Sequence, residues 1–158
     1  MAELCIYLDA DSLPEKIRNI VFRACVKRRI PACVVSNRNL KLPKDAMIKP
    51  VKVGMEKEAA DNYIIDCARV GNLVITRDIP LAAKLVEKGV VVINDRGGEF
   101  TEDNIRERLS IRNTFKELRE LGIVEDIRTK TFSDKDVHAF AATFDKVLTR
   151  LEKEYKKQ

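Results

Sequence analysis

The sequence predicts an α/β protein, a three-layer α/β/α sandwich built on a mostly parallel five-stranded sheet in the order 3-2-1-4-5. Three observations lead there. Short, β-rich apolar runs recur along the chain with helical patterns between them. The runs are apolar on both faces, as strands covered on both sides must be. A chain of 158 residues, 45% hydrophobic, can bury one core of ordinary domain size, so residues 1–158 are expected to form a single domain. Periodicity does not fix the strand order, which is assumed.

The expected strands are "LCIYL" (4–8), "PACVVS" (31–36), "MIKPVKV" (47–53), "NLVIT" (72–76) and "GVVVIN" (89–94). Between the first two, "SLPEKIRNIVFRACVKR" places Ile17, Ile20, Val21, Ala24 and Cys25 on one helical face, with Ser12 and Glu15 as a capping box. "MEKEAADNYIIDCARVG" predicts a second helix of about four turns that Gly71 stops. "IPLAAKLVEKG" is a third, and Thr101 opens a fourth that ends at Gly122. A loop, "IVEDIRTKT" (123–131), leads to a capping box of Ser133 and Asp136 and a last helix through 155. Residues 146–158 read as a charged, partly solvated end.

Lys and Arg outnumber Asp and Glu by 30 to 25, a formal charge of +5 that permits an anionic partner without demanding one. Cys5, Cys25, Cys33 and Cys67 spell no Cys-x-x-Cys pair, and with one histidine the chain offers neither a zinc cluster nor a redox motif. All four are expected as buried free thiols. The N-terminus is neither a basic signal start nor long enough to span a membrane, so a reducing cytoplasm is the expected location and a membrane partner is not expected.

Chemistry enters with the carboxylates. In an open parallel sheet, ligands collect at the carboxyl ends of strands where the strand order reverses. Asp9 and Asp11 close the first strand and Asp78 the fourth; in the assumed order these strands are neighbours. Glu58 and Asp61, three apart near the start of the second helix, share one side of it. Unit charges about 4 Å apart repel by roughly 4 kcal/mol at an effective dielectric of 20, so such a gathering favours a bound cation. Oxygen donors alone select a hard ion, Mg²⁺ or Mn²⁺, which can polarise a phosphoryl oxygen and activate water. In the competing structural reading, Asp78 caps a helix, Asp11 assists Ser12, and Glu58 and Asp61 are solvated. Asp9 alone has no capping task, because Ser12 and Glu15 already satisfy the helix start.

"YLDADSLPEK", "VVSNRN", "EAADNYIIDCARVGNLVITRDIPLAAK" and "NDRGGEFTEDNI" resemble the YaiI/YqxD family of uncharacterised bacterial proteins, over about residues 4–145. The resemblance implies a PIN-like fold, the scaffold of many metal-dependent ribonucleases. It places Asp9, Asp61 and Asp78 on the metal-binding positions, with Asp11 and Glu58 beside them. Ser12 and Leu13 stand where the family more often has Ala-Cys, Glu58 replaces an aspartate, and an expected Gly-Gly-Pro is absent near "EDIRTKTF".

Asn37, Arg38, Arg77 and Arg96 follow strand ends and are expected to hold phosphates; the competing reading pairs the arginines with nearby carboxylates. Arg108, Arg112 and Arg119 form a basic stripe that tracks a nucleic-acid backbone or is a solvated face. His138 is given no chemistry. The expected function is a divalent-metal-dependent phosphodiester hydrolase acting on RNA rather than DNA, with Asp9, Asp11, Glu58, Asp61 and Asp78 as its acids. Two alternatives are weighed. One is a haloacid-dehalogenase-like phosphatase with Asp9 as nucleophile, Asp11 as acid/base, Ser36 or Thr76 on phosphate and Asp95 on Mg²⁺. The other is a nucleic-acid-binding module without turnover.

Overall fold

A computed structural model of the chain describes residues 3–56, 58–123 and 131–157. The chain runs β1 (Ile6–Asp9), a 3-10 turn (Ala10–Ser12), α1 (Glu15–Arg28), β2 (Ala32–Ser36), β3 (Ile48–Lys52), α2 (Ala59–Cys67) and β4 (Leu73–Ile75). It continues through α3 (Ile79–Glu87), β5 (Val91–Ile93), β6 (Glu99–Phe100), α4 (Glu102–Glu120) and α5 (Asp134–Lys156). The sheet order is β3-β2-β1-β4-β5-β6. The first five strands are parallel, as expected. The sixth is a two-residue antiparallel addition, pairing Val92 with Phe100, that the five-stranded expectation lacked. It was hidden because two residues carry no period.

Alternation along the strands builds the two faces. Ile6 and Leu8 join Ile17, Val21, Phe140, Phe144 and Leu148 in the core beneath α1 and α5. Val74 and Val92 join Ile64, Leu81, Leu85 and Ile105 beneath α2, α3 and α4, with Tyr7 packed against them. The outer strand β3 is different: Lys49, Pro50 and Lys52 are exposed, and only Ile48 is buried.

Local competition moves several boundaries. Ser12 does not cap α1; its hydroxyl donates to the Asp9 carbonyl at 2.9 Å and closes the 3-10 turn, while Pro14 takes the cap position without a side-chain bond. The capping box expected from Ser12 and Glu15 is therefore absent. The second helix is 9 residues, about two and a half turns rather than four. It stops because Ala68 turns extended and Asn72 accepts from the Arg69 amide at 2.8 Å while donating to the Glu3 carbonyl at 2.7 Å. Gly71, expected to stop this helix, lies beyond its end, whereas the helix starts read at Thr101 and Ser133 stand. Asp78 caps α3, Thr101 and Asn104 box the start of α4, and the Asp136 side chain accepts from the Ser133 amide at 3.0 Å.

Within 146–158, α5 continues to Lys156, with Val147, Leu148 and Leu151 buried and the charged residues on its outer side. Arg28 of α1 reaches across to Glu152 at 2.8 Å and also to Asp145. Residues 124–130, most of the expected loop, lie outside the described residues, as does nearly all of the stretch where Gly-Gly-Pro was expected. No helix among the described residues is long and apolar enough to cross a membrane. Only Cys25 of the four cysteines is fully buried; Cys5, Cys33 and Cys67 are half-buried free thiols.

Candidate active site at the carboxyl ends of the strands

The chain departs from β1 toward α1 and β2, and only later returns to add β4 on the other side of β1. Side chains at the carboxyl ends of these two strands therefore line the crevice where the order reverses. Asp9, at the end of β1, is 7% exposed, and its Oδ2 accepts from the Thr76 hydroxyl at 2.7 Å. Burial pushes its carboxyl pKa up; hydroxyls of Thr76 and Ser12 pull it partly back, and the Asp78 and Asp11 charges raise it again. The same Thr76 oxygen accepts from the Asp78 amide at 3.0 Å, so one hydroxyl ties the end of β1 to the start of α3.

Asp78 caps α3, its Oδ1 accepting from the Leu81 amide at 3.0 Å. The carboxyl of Asp61, in the first turn of α2, lies beside that of Asp78. Its pKa is pushed up to about 6, first by burial, then by the charges of Asp78, Asp9 and Glu58. Glu58, the residue capping α2, makes no side-chain cap bond and acts on the site through its charge.

Asp11 faces elsewhere. It accepts from the Ser36 hydroxyl at 2.7 Å, the Asn37 amide at 2.9 Å and Arg38 Nε at 3.1 Å. Desolvation opposes its charge, but the Asn37, Ser36 and Arg38 bonds outweigh that and hold its pKa below the usual range. The Asn37 backbone amide and Arg38 Nε thus bond Asp11, and for Arg38 this matches the ion-pair reading.

Arg77 points to the other side of the mouth. Its Nε lies 3.4 Å from Oδ2 of Asp95, a carboxylate only 2% exposed. The contact is within ion-pair range, yet among the described residues that oxygen receives no aligned hydrogen bond. Burial raises the Asp95 pKa against the pull of Arg77 and Arg96. Arg96 lies 3.6 Å from Asp136 and over the Phe132 ring, 5.8 Å from its centroid. Of the basic stripe, Arg108 sits over the Phe100 ring at 4.9 Å and Arg112 bonds Asn113 at 3.3 Å.

The fold brings Asp9, Asp61 and Asp78 to one mouth, with Glu58 at its edge, and leaves Asp11 outside it. Among the described residues, no three carboxylate, thiol or imidazole side chains converge as a set able to hold a metal ion. One oxygen of Asp9 is taken up by Thr76, while Asp61 and Asp78 lie side by side at the mouth. That pair is an all-oxygen donor set suited to a hard ion that keeps most of its water. Sequence reasoning weighed Thr76 and Asp95 only for a phosphatase. Nothing local pointed to Asp9 as the acceptor for Thr76 or to Arg77 as the partner of Asp95.

The match to known proteins covers nearly all of this architecture. Residues 7–150 match the family described as "Uncharacterized BCR, YaiI/YqxD family". The chain belongs to the YaiI/YqxD family. A "UPF0178 protein" of Geobacter metallireducens is 45% identical over 149 residues, covering 94% of this chain and 96% of the relative. One of Myxococcus xanthus is 44% identical over 148 residues, with the same coverage. A third, of Shewanella sp. strain MR-7, is 40% identical over 153 residues, 97% of this chain and all of the relative. No solved structure matches the chain.

Proposed function

We propose that this member of the YaiI/YqxD family is a divalent-cation-dependent phosphodiester hydrolase with a PIN-like scaffold, acting on single-stranded RNA. The observation that carries the reading is the Asp61–Asp78 carboxyl pair above the buried Asp9, at the crevice where the strand order reverses. Such a pair costs stability when both groups are charged, and a hard cation offsets that cost. Mg²⁺ is commonly bound through one or two carboxylates plus water and substrate phosphate, so two direct protein ligands suffice. Asp61 and Asp78 would hold it, with Asp9 and Glu58 adding negative charge behind them. An ion there supplies a polarised phosphoryl oxygen and a more acidic water.

The chain's own groups do the rest. Asp9 fixes Thr76, which fixes the Asp78 backbone and so the direction of its carboxylate. Asp95 holds Arg77 through Nε, leaving its terminal nitrogens to meet a phosphate at the mouth. RNA is favoured over DNA by the ribonuclease scaffold that the resemblance implies.

The phosphatase reading is weaker on this geometry. Its nucleophile, Asp9, is buried with one oxygen held by Thr76, and its acid/base, Asp11, has both oxygens engaged. The lack of a three-ligand set among the described residues favours, as second reading, an RNA-binding module without turnover.

Mn²⁺-dependent cleavage of labelled single-stranded RNA tests the proposal. Wild type is expected to cleave, and Asp61→Asn and Asp78→Asn to lose cleavage while staying folded, since Asn caps α3 as well as Asp at position 78 and a neutral amide at position 61 relieves the repulsion there. Equal cleavage by all three overturns the nuclease reading. Salt-sensitive RNA retention without products identifies the binding module, and phosphate trapped on Asp9 identifies the phosphatase.

A further inference from the structure

Cys5 and Cys33 lie far from the acidic mouth, toward the opposite end of the same strands. Cys5 immediately precedes β1; Cys33 is the second residue of β2, in register with Tyr7. Side chains two apart share a face, so Cys5, Tyr7 and Cys33 meet on the side of the sheet that carries α2. The short α2 does not bury them fully, and both thiols stay half-buried. Their sulfurs are 3.6 Å apart. Lys49 of the outer strand is paired with Cys33 in the ladder and is itself exposed.

We propose that Cys5 and Cys33 are an oxidant-sensitive dithiol, a covalent modification site at which a peroxide closes a disulfide between the entry to β1 and β2. The sulfurs need to approach by only about 1.5 Å to reach the bonded S–S distance of about 2.05 Å. Cys33 is the attacking group, because the Cys5 sulfur lies within hydrogen-bond distance of it and the Lys49 ammonium faces it. Both favour a thiolate against the opposing effect of burial, holding its pKa down at about 7. Cys5 moves the other way, held protonated first by its bond to Cys33 and then by burial.

The steps balance. The Cys33 thiolate attacks one peroxide oxygen; the O–O bond breaks, leaving Cys33 as a sulfenic acid and releasing an alkoxide or hydroxide that takes up a proton. The Cys5 sulfur then attacks Cys33 Sγ; the S–O bond breaks, the S–S bond forms, and the Cys5 proton leaves with hydroxide as water. Two thiols lose two electrons, and the peroxide gains them.

The test treats the full chain with hydrogen peroxide and reads intact mass and a non-reducing peptide map. The expected result is loss of two hydrogen atoms, reversed by a dithiol reductant, with the cross-link joining the Cys5 and Cys33 peptides. In Cys5→Ser the sulfenic acid should persist on Cys33 and be captured by dimedone, with Cys25 and Cys67 each taking up less than about a tenth as much. An unchanged mass, a cross-link between another pair, or even labelling of the remaining cysteines overturns the proposal. Wild type needs no substitution for the first readout, so misfolding of a variant cannot mask the answer.

Discussion

The Thr76 hydroxyl donates its one proton to Asp9 and accepts from the Asp78 amide, so two elements depend on one side chain. Thr76 is fully buried, and Thr76→Val removes both bonds without changing shape much. It leaves a buried carboxylate oxygen and a backbone amide without partners, a loss of about 1–3 kcal/mol each. Urea unfolding should show a clear drop in midpoint with little change in slope. Asp61 gives a pH dependence of known sign. Its folded pKa of about 6 lies above the ordinary 3.8, so its contribution is fully present below about pH 4 and is lost as pH rises through about 6. Without divalent ions and at low salt, Tm should fall over that window. Asp61→Asn should flatten part of the fall; a slope equal to wild type would show that Asp9 and Asp95, raised in the same direction, account for it. That Asp9 would be singular was legible in the sequence, but for the wrong reason. Ser12 turned out to bond the Asp9 backbone rather than cap α1, and Asp9 has a buried partner 67 residues away that no local pattern could reveal.

Elements were legible wherever one periodic signal went unopposed. The core of every parallel strand lies within its apolar run, and Asp78, Thr101 and Ser133 each start the helix that their position suggests. They shifted where a distant group competed with helix propensity, as Asn72 does at the end of α2 by bonding Arg69 and Glu3. The end of α1 illustrates another local choice. Arg29 closes it in the left-handed region at φ 56, which lets the Ile30 amide reach the Cys25 carbonyl at 3.0 Å. A non-glycine residue pays about 1 kcal/mol or more for that conformation, whereas glycine's extra freedom in the unfolded chain returns part of the gain. Arg29→Gly should therefore raise stability by about 0.5 kcal/mol, read as a higher thermal midpoint; a lower midpoint would mean that the exposed Arg29 side chain contributes more than its backbone costs.

At the scale of the whole molecule, α5 belongs to the core through its last turns, although its composition suggests a solvated end. Leu148 and Leu151 bury against the sheet, and Arg28 links α1 to Glu152. Leu151→Ala should cost about 2–5 kcal/mol, seen in denaturant unfolding, while an exposed neighbour such as Lys153→Ala should leave the midpoint nearly unchanged. A β-sheet also has two borders, and each is a place where a foreign chain could hydrogen-bond. On one side the two residues of β6 offer too little length to template a strand. On the other, Pro50 withholds an amide, and the ammonium groups of Lys49 and Lys52 resist the approach of apolar segments. This sheet is thus closed to fibrous growth at both rims, so replacing those three residues with valine should turn a well-behaved solution into one that precipitates on standing.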